Sequence, residues 1–495
     1  MTDRSNALTG SPPDTTPDPR RWLALAVIAV AQLMVVLDAS IVTIALPSAQ
    51  RALHISVDNR QWVITAYTLA FGGLLLLGGR IADYMGRKRM FVIGLLGFAA
   101  ASALGGVAQN AAMLFGARAL QGGFAALMAP AALSLVTVTF TEPKERAKAF
   151  GVYGGIAGGG AAIGLIAGGV LTQYADWRWC LLVNVPVAIV TAVFATRLVR
   201  ESRAHGNTRY DIPGAIAATA GLVSLVYGFT KASTDGWGSP VTLAFLVAAV
   251  ALLALFVVIE QRSANPLLPI RVVLDRNRGG AFLVSFLAPM AMMGMFLFMT
   301  FYFQGTLGYS ALKSGFAFLP FSAGIIVGAA LASRILPRIG PRPLLVGGLV
   351  AAAIGCGLLT RIGVDSSFAA AVLPTEVIMS VGLGLCFVPM SSTALIGVNP
   401  HDAGVASATL NMSQQVGGSL GTALLNTIYA TAVSSFIVAH GHSAAVLAEA
   451  PVHGYTIGFW VSTALLAASA LVALMFIRAR RDQLGDPELA LAAVG

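Results

Sequence analysis

The chain has 495 residues, of which 57% are hydrophobic and only 11% are charged, and its formal net charge is +10. Soluble domains carry about 25% charged residues, so a water-soluble protein of this composition could not cover its surface with polar groups. The basic residues are not interleaved with aromatic side chains, which excludes a nucleic-acid-binding surface.

The first 21 residues are polar and rich in proline, and we predict a disordered tail at 1–21. This segment does not read as a signal peptide, because the apolar run after Arg21 is too long and leads into further apolar runs.

Long apolar blocks follow the tail, each close to the roughly 20 residues that a helix needs to cross the bilayer. Because lipid offers no partner for a free backbone amide, every block must be helical. We therefore predict an all-α integral membrane protein. Its fourteen transmembrane helices are expected near 22–46, 61–79, 90–109, 111–139, 146–172, 180–199, 212–230, 240–260, 279–304, 313–336, 343–361, 370–396, 404–436 and 455–477.

Lysine and arginine are distributed unevenly among the connections. With the N-terminus placed in the cytoplasm, 24 basic residues fall in cytoplasmic segments, 6 fall in external ones, and Arg118 lies inside a span. The positive-inside rule predicts this split. We expect a multi-pass protein of a bacterial inner membrane with both termini cytoplasmic; the excess of arginine over lysine indicates a bacterium of high GC content.

A weak internal repeat relates the two parts of the chain. GRIADYMGRKR at 79–89 resembles SRILPRIGPRP at 333–343, and the fourth and twelfth spans share a pattern of glycines followed by proline. The repeat predicts an alternating-access fold of two six-helix bundles. The expected domains are 22–200 for the first bundle, 201–262 for two linker helices, 263–477 for the second bundle, and a cytoplasmic tail at 478–495.

Three ionisable residues inside spans are candidates for proton coupling: Asp38, Arg118 and Glu376. Asp38 and Arg118 lie at a common depth in antiparallel spans, where a lone charge is costly, so pairing or a water-filled cavity is expected. Asp38 then serves as a proton-binding carboxylate, or the two residues form a structural ion pair that only orients their spans. Glu376 lies at a similar depth in the second bundle and is either a coupling group or simply solvated.

The segment 79–89 is a candidate cytoplasmic gate formed by Gly79, Asp83, Gly86, Arg87 and Arg89. Asp83 and Arg87 are four residues apart and can pair across one helical turn. Asp83 can also face the positive end of a helix in the opposite bundle. The alternative is an ordinary positive-inside loop, which does not explain the glycines or the aspartate.

Span five is unusually rich in glycine, and Gly160, Gly164, Gly168 and Gly169 mark either a bending point or simple close packing of helices. Span nine is rich in methionine and phenylalanine, which suit a surface for varied apolar molecules, although such residues also pack against lipid or core. Candidate substrate contacts, each of which could equally be satisfied between helices, are Gln32, Tyr67, Gln121, Met292, Met295, Phe296, Met299, Gln304, Asn411 and Gln415.

No cofactor, metal or nucleotide site is expected. The histidines lie in or beside loops, with His440, His442 and His453 expected in one external loop, and the three cysteines lie in or beside apolar runs. The chain has no phosphate-binding loop of the G-x-x-x-x-G-K-[ST] type. An enzyme or receptor embedded in the membrane would need a polar catalytic cluster or a soluble signalling domain, and neither is visible.

Several segments resemble the fourteen-span drug/proton antiporter branch of the major facilitator superfamily, the multidrug efflux permeases. They are LDASIVTIALP (37–47), GRIADYMGRKR (79–89), RALQGGFAA (118–126), DWRWCLLVNVP (176–186) and FYFQGTLGYSALKSGFAFLP (301–320). The sequence departs from the branch at Leu165, where a proline is usual.

The resemblance implies proton-driven export of lipophilic drugs, antibiotics or secondary metabolites, with Arg118 taking part in proton coupling. Protons, a small lipophilic substrate and membrane lipid are the expected partners, and an accessory periplasmic subunit is not indicated. The alternative on the same fold is an exporter of one specific endogenous metabolite or lipid.

Overall fold

The computed structural model describes residues 19–140, 142–203, 211–263, 266–268, 270–398 and 403–479. The predicted tails at 1–21 and 478–495 lie almost entirely outside these ranges. Within the described residues every regular element is helical.

In the part of the chain that the structure describes, fourteen long helices follow one another. They are α1 (Arg21–Ala52), α2 (Trp62–Met85), α3 (Arg87–Gly106), α4 (Ala111–Thr139), α5 (Pro143–Tyr174), α6 (Trp179–Leu198), α7 (Ile212–Asp235), α8 (Pro240–Arg262), α9 (Arg276–Thr306), α10 (Ala311–Ile339), α11 (Pro341–Leu359), α12 (Phe368–Leu395), α13 (Ala403–His440) and α14 (Ala444–Phe476). Thirteen are long and apolar enough to cross a bilayer, and α5 contributes the apolar helix Gly160–Tyr174. The predicted all-α membrane architecture is confirmed.

Two boundaries differ from the sequence prediction for local reasons. The segment 79–89 is not a loop, since α2 continues to Met85 and α3 begins at Arg87. Gly86 makes the whole turn with a φ of +114°, which a side chain would oppose. The expected external histidine loop is also wrong: α14 begins at Ala444, capped by the Ser443 hydroxyl, which accepts a hydrogen bond from the Val446 amide, so His453 lies inside the helix.

The helices form two bundles with the same internal arrangement. In the first bundle α4 packs on α2 and α3, and α5 packs on α1; in the second, α12 packs on α10 and α11, and α13 packs on α9. The helices α7 and α8 pair with each other, and α7 contacts both α2 and α13. The two extra helices therefore stand at the seam between the bundles, as the predicted fold class requires.

The apolar core shows at which end the bundles meet. The end that carries residues 53–61 is called here the predicted external end. A large apolar cluster joins α1 residues near it, such as Ile44 and Leu46, to Phe303 and other residues of the second bundle. A separate cluster fills the opposite part of the first bundle, including Leu25, Ile28 and Phe91. The bundles are thus closed against each other at the predicted external end.

Candidate functional site

An ion pair between Asp38 and Arg118 lies in the interior of the first bundle. Arg118 Nη1 donates to Asp38 Oδ2 over 2.5 Å. The two side chains are 0% and 1% exposed. Their positions follow from the chain: α1 and α4 run in opposite directions, and both residues lie partway along. The structure brings together the two residues whose common depth predicts pairing.

Polar side chains from three helices complete the hydrogen bonds of this pair. The amide of Asn184 on α6 donates to Asp38 Oδ1 over 2.8 Å, and that of Gln121 on α4 donates to the same oxygen over 3.1 Å. The Gln121 carbonyl accepts from Arg118 over 2.8 Å, and its amide also donates to Ser102 of α3. Because both ions have several partners, the cost of burying them is largely offset.

Tyr67 and the backbone of α2 form the remaining wall of this cluster. Arg118 Nε donates to the carbonyl oxygen of Val63 over 2.9 Å, and its guanidinium lies 4.4 Å from the centre of the Tyr67 ring. Gly122 permits this approach of α2 and α4, since a Cβ there would stand 2.2 Å from the Tyr67 carbonyl oxygen. The buried Tyr67 hydroxyl has no hydrogen-bond partner among the described residues.

Glu376 is placed very differently in the second bundle. It lies in the early part of α12 and is 0% exposed, so the expectation that it is simply solvated is wrong. Neither of its carboxyl oxygens has a hydrogen-bond partner among the described residues. One turn further along α12, Ser380 packs against Gly324 of α10, so this face of the helix is directed into the bundle. An isolated buried carboxylate is far more costly than a protonated carboxyl group.

The predicted gate residues form a compact turn at the opposite end of the first bundle. Arg87 donates to Asp83 Oδ1 over 2.9 Å, within one helical turn. Glu201, which follows α6, accepts from the backbone amides of Lys88 and Arg89 and lies against Gly86. A negative side chain at the start of α3 is favourable because the free amides there carry partial positive charge. Gly79 faces Pro130 of α4 at an ordinary contact distance.

The glycines of α5 pack closely on neighbouring helices. A Cβ at Gly164 would lie 2.7 Å from the Ser40 Cβ, and one at Gly168 would lie 2.9 Å from the Ile41 carbonyl oxygen. Gly160 faces α1 more loosely, and Gly169 lies against the backbone of α10. The helix is continuous from Pro143 to Tyr174, so the geometry shows close packing, and bending stays a prediction.

The candidate substrate contacts do not form one site in this conformation. Met295 and Met299 are buried in the core of the second bundle, and Phe296 packs on Phe318 and Phe321. Gln415 packs on Gly72 of α2, at the interface between bundles. Gln32 and Met292 are half-buried, whereas Asn411 is exposed and donates to the Ser407 carbonyl. Tyr67 and Gln121 belong to the cluster around Asp38.

The predicted external end carries contacts that the sequence did not reveal. Gln304 donates to the Ile44 carbonyl oxygen over 3.0 Å, and Arg60 donates to Asn426 over the same distance, so both bonds join the bundles. An open cavity of about 420 Å³ lies beside them. Its lining residues are Pro47, Gln50, Arg51, His54, Ile55, Phe301, Gln304 and Gly305. In the sequence, Arg60 lies in the connection between the first two predicted spans, and nothing in that segment predicts its contact with the second bundle.

Comparison with known proteins identifies the family. The family model described as Major Facilitator Superfamily matches residues 28–422. The chain belongs to the major facilitator superfamily. It is a multi-pass membrane transporter rather than an enzyme, which agrees with the resemblance found in the sequence motifs.

Two relatives indicate the branch of this superfamily. The chain is 51% identical over 469 residues to the puromycin resistance protein pur8 of Streptomyces alboniger, covering 94% of this chain and 93% of the relative. It is 37% identical over 415 residues to the cephamycin export protein CmcT of Amycolatopsis lactamdurans, covering 83% and 85%. Both relatives are named for handling an antibiotic, as expected of the drug/proton antiporter branch.

A solved structure supports the fold alone. The bacterial homologue of the human lysosomal transporter Spinster, in an inward-facing and occupied conformation, aligns with a TM-score of 0.66 at 15% identity, covering 95% of this chain and 99% of that one. The superfamily fold is therefore confirmed at the level of helix arrangement.

Proposed function

We propose that this protein exports antibiotic-like, lipophilic small molecules across the inner membrane of a bacterium by alternating access, in exchange for protons. The observation that carries the proposal is the buried Asp38–Arg118 cluster, with its bonds to Gln121 and Asn184. The antibiotic-related names of the relatives support the export direction.

The cluster can convert proton binding into a change of helix packing. A proton on Asp38 removes the charge that holds the Arg118 guanidinium, so the strongest contact between α1 and α4 weakens. Arg118 keeps its bonds to the Val63 carbonyl and to Gln121, which hold the released cation inside the bundle. The two protonation states of Asp38 thereby favour two arrangements of α1 against α4, as coupling requires.

Glu376 provides a second proton-binding group in this proposal. Because neither oxygen has a partner among the described residues, the carboxyl group is accommodated in its protonated form when the predicted external end is closed. When the bundles separate at that end, water can reach α12 and the proton can leave. The two carboxyl groups then prefer opposite protonation states in the same conformation.

The turn at 79–89 is proposed to keep the cytoplasmic end of the first bundle rigid during transport. Asp83 and Arg87 pair within one helical turn, and Glu201 fixes the start of α3. This turn remains a rigid unit of the first bundle while the bundles rock. We place it, with both termini, in the cytoplasm on the basis of the basic residues around it.

The cargo class follows from the relatives and the composition. Intramembrane acids are few, so we propose weakly basic or neutral antibiotics, with puromycin as the first candidate because the relative that is 51% identical is a puromycin resistance protein. Export of one endogenous metabolite or lipid is the alternative, and a comparison of puromycin with unrelated lipophilic dyes separates the two.

The test is uptake of labelled puromycin into inverted membrane vesicles with an imposed pH gradient. The proposal predicts gradient-dependent uptake by the wild-type protein and its loss in Asp38→Asn. A matched control is Asp235→Asn, which removes a half-exposed aspartate that pairs with Lys231 at the end of α7. Uptake that is independent of the gradient, or equal in both variants, would rule out proton coupling through Asp38.

A further inference from the structure

Arg60 is a buried cation that belongs to the first bundle but lies among side chains of the second. It is 2% exposed, and its Nε donates to Asn426 of α13 over 3.0 Å. Its guanidinium carbon lies 3.9 Å from the centre of the Phe301 ring and 4.7 Å from that of Tyr429. The second bundle thus presents a pocket with two aromatic walls and one amide, filled by a planar cation.

The occupant of this pocket is incompletely satisfied. Arg60 Nη2 is buried and has no hydrogen-bond partner, and no carboxylate pairs with Arg60, among the described residues. An ion without a counterion is held here by the faces of two aromatic rings and one amide oxygen. Such surroundings are suited to organic cations, which the negative faces of aromatic rings attract.

One wall of the pocket, the Tyr429 ring, is fixed independently of Arg60. The Tyr429 ring stacks on Tyr455 at 5.0 Å. The Asn426 amide donates to the Val57 carbonyl and to Gln61, both over 2.9 Å; these partners lie beside Arg60 on the first bundle and leave together with it on opening. Because Tyr429 is held by a neighbour of its own bundle, this wall can keep its place when Arg60 leaves.

We propose that Phe301, Tyr429 and Asn426 form a binding pocket for planar organic cations, which Arg60 occupies while the predicted external end is closed. Phe301 also lines the open cavity of about 420 Å³ at that end, so the pocket borders a space that opens there. That Arg60 leaves the pocket when the predicted external end opens depends on the alternating access proposed above. Binding of a cation to a pocket that lacks Arg60 does not depend on it.

The experiment uses Arg60→Ala protein in lipid nanodiscs, with ethylguanidinium as the probe. Ethylguanidinium should bind saturably and raise the melting temperature of Arg60→Ala by about 2 °C. The wild-type protein, whose pocket is filled, should show no shift. Arg51→Ala is the matched control, because Arg51 is an exposed arginine of the same end that donates to Ser48.

Two further comparisons define the chemistry of the pocket. Phe301→Leu combined with Arg60→Ala should remove the effect of ethylguanidinium, and ethylurea, which is planar but uncharged, should have none. Equal stabilisation by ethylurea, equal stabilisation of Arg51→Ala, or no stabilisation of Arg60→Ala would overturn the proposal.

A second measurement covers the case in which Arg60→Ala does not fold. External ethylguanidinium should then inhibit transport by otherwise unaltered protein, by competing with the return of Arg60, and Phe301→Leu should relieve the inhibition. If transport is intact but insensitive to ethylguanidinium, the pocket is refuted while the proposed export function stands. If transport itself is absent, the proposed export function fails. The pocket is then tested alone in wild-type protein that a crosslink between α5 and α10 at the cytoplasmic end holds open at the predicted external end. Binding of ethylguanidinium to this protein supports the pocket, and the absence of binding refutes it.

Discussion

In the part of the chain that the structure describes, each bundle buries one carboxyl group, and the surroundings of the two groups are opposite. Asp38 in α1 accepts bonds from Arg118, Gln121 and Asn184, whereas Glu376 in α12 has no partner among the described residues. The repeated fold places both groups inside a bundle, but among the residues that the structure describes only the first bundle supplies a counterion. The repeated fold thus surrounds one buried carboxyl group with hydrogen-bond donors and leaves the other without one among the described residues, and the proposed proton exchange rests on this difference.

The largest effect is expected from removing the counterion in the first bundle. Arg118→Leu leaves Asp38 buried without its cation, and breaking a buried pair in this way typically costs about 3–5 kcal/mol. Thermal unfolding of the purified protein in detergent measures the loss. Asp38→Asn combined with Arg118→Leu should recover most of the stability but none of the gradient-driven transport. If the double variant is as unstable as Arg118→Leu, the ion pair is not the source of the effect.

Close packing in the two bundles offers a second comparison. A Cβ at Gly421 of α13 would stand 2.0 Å from the Met290 carbonyl oxygen, nearer than the 2.9 Å between a Cβ at Gly168 and the Ile41 carbonyl. Each Gly→Ala change should cost about 1–3 kcal/mol, with the larger loss at Gly421. Gly116 is the control and should tolerate alanine, because a Cβ there would meet no atom of the described residues within 4 Å. A reversed order would contradict the close approach of α9 and α13.

A smaller effect on stability is expected at Glu376. Glu376→Gln replaces a protonated carboxyl group by a neutral group of similar shape, so the melting temperature should change by no more than about 2 °C. Infrared difference spectra should show a protonated carboxyl band in the wild-type protein that disappears in this variant. Strong destabilisation of Glu376→Gln, together with the absence of that band from the wild-type protein, would show that the group is a charged carboxylate with a partner.

The smallest effect concerns a pair outside the predicted spans. Arg21 donates to Glu145 over 2.7 and 2.8 Å, and this hydrogen bond lowers the pKa of Glu145 below its ordinary value. The pair therefore stabilises the protein at neutral pH, and its contribution is lost as the pH falls through the lowered pKa. Arg21→Ala should change the melting temperature by about 1 °C or less at pH 7. The difference in melting temperature between Arg21→Ala and the wild-type protein should vanish in acid. A difference that grows in acid would contradict the prediction.

The sequence predicted the architecture well because hydrophobic length and basic residues report directly on the bilayer. It also predicted the pairing of Asp38 with Arg118, since two opposite charges at one depth in oil have few alternatives. The turn at Gly86 and the early start of α14 were missed because single-residue turns and helix caps leave little trace in hydropathy.

The contacts between bundles could not be read from the chain. Arg60 and Asn426 are 366 residues apart, and nothing in either segment predicts that they meet. Likewise, the sequence does not show that Ser102 and Asn184 belong to the cluster around Asp38, and only the fold brings them there. The substrate contacts on α9 were predicted because methionine and phenylalanine side chains suit varied apolar molecules. The sequence pattern alone does not tell which face of a long apolar helix is directed into the core.

The most direct test of proton coupling compares two modes of transport in one preparation. Purified protein in proteoliposomes is assayed for puromycin accumulation driven by a pH gradient and for exchange of labelled against unlabelled puromycin without a gradient. The account predicts that Asp38→Asn loses the first and keeps the second, because the cavity still alternates but no longer carries a proton. Accumulation by Asp38→Asn at the wild-type level would contradict it.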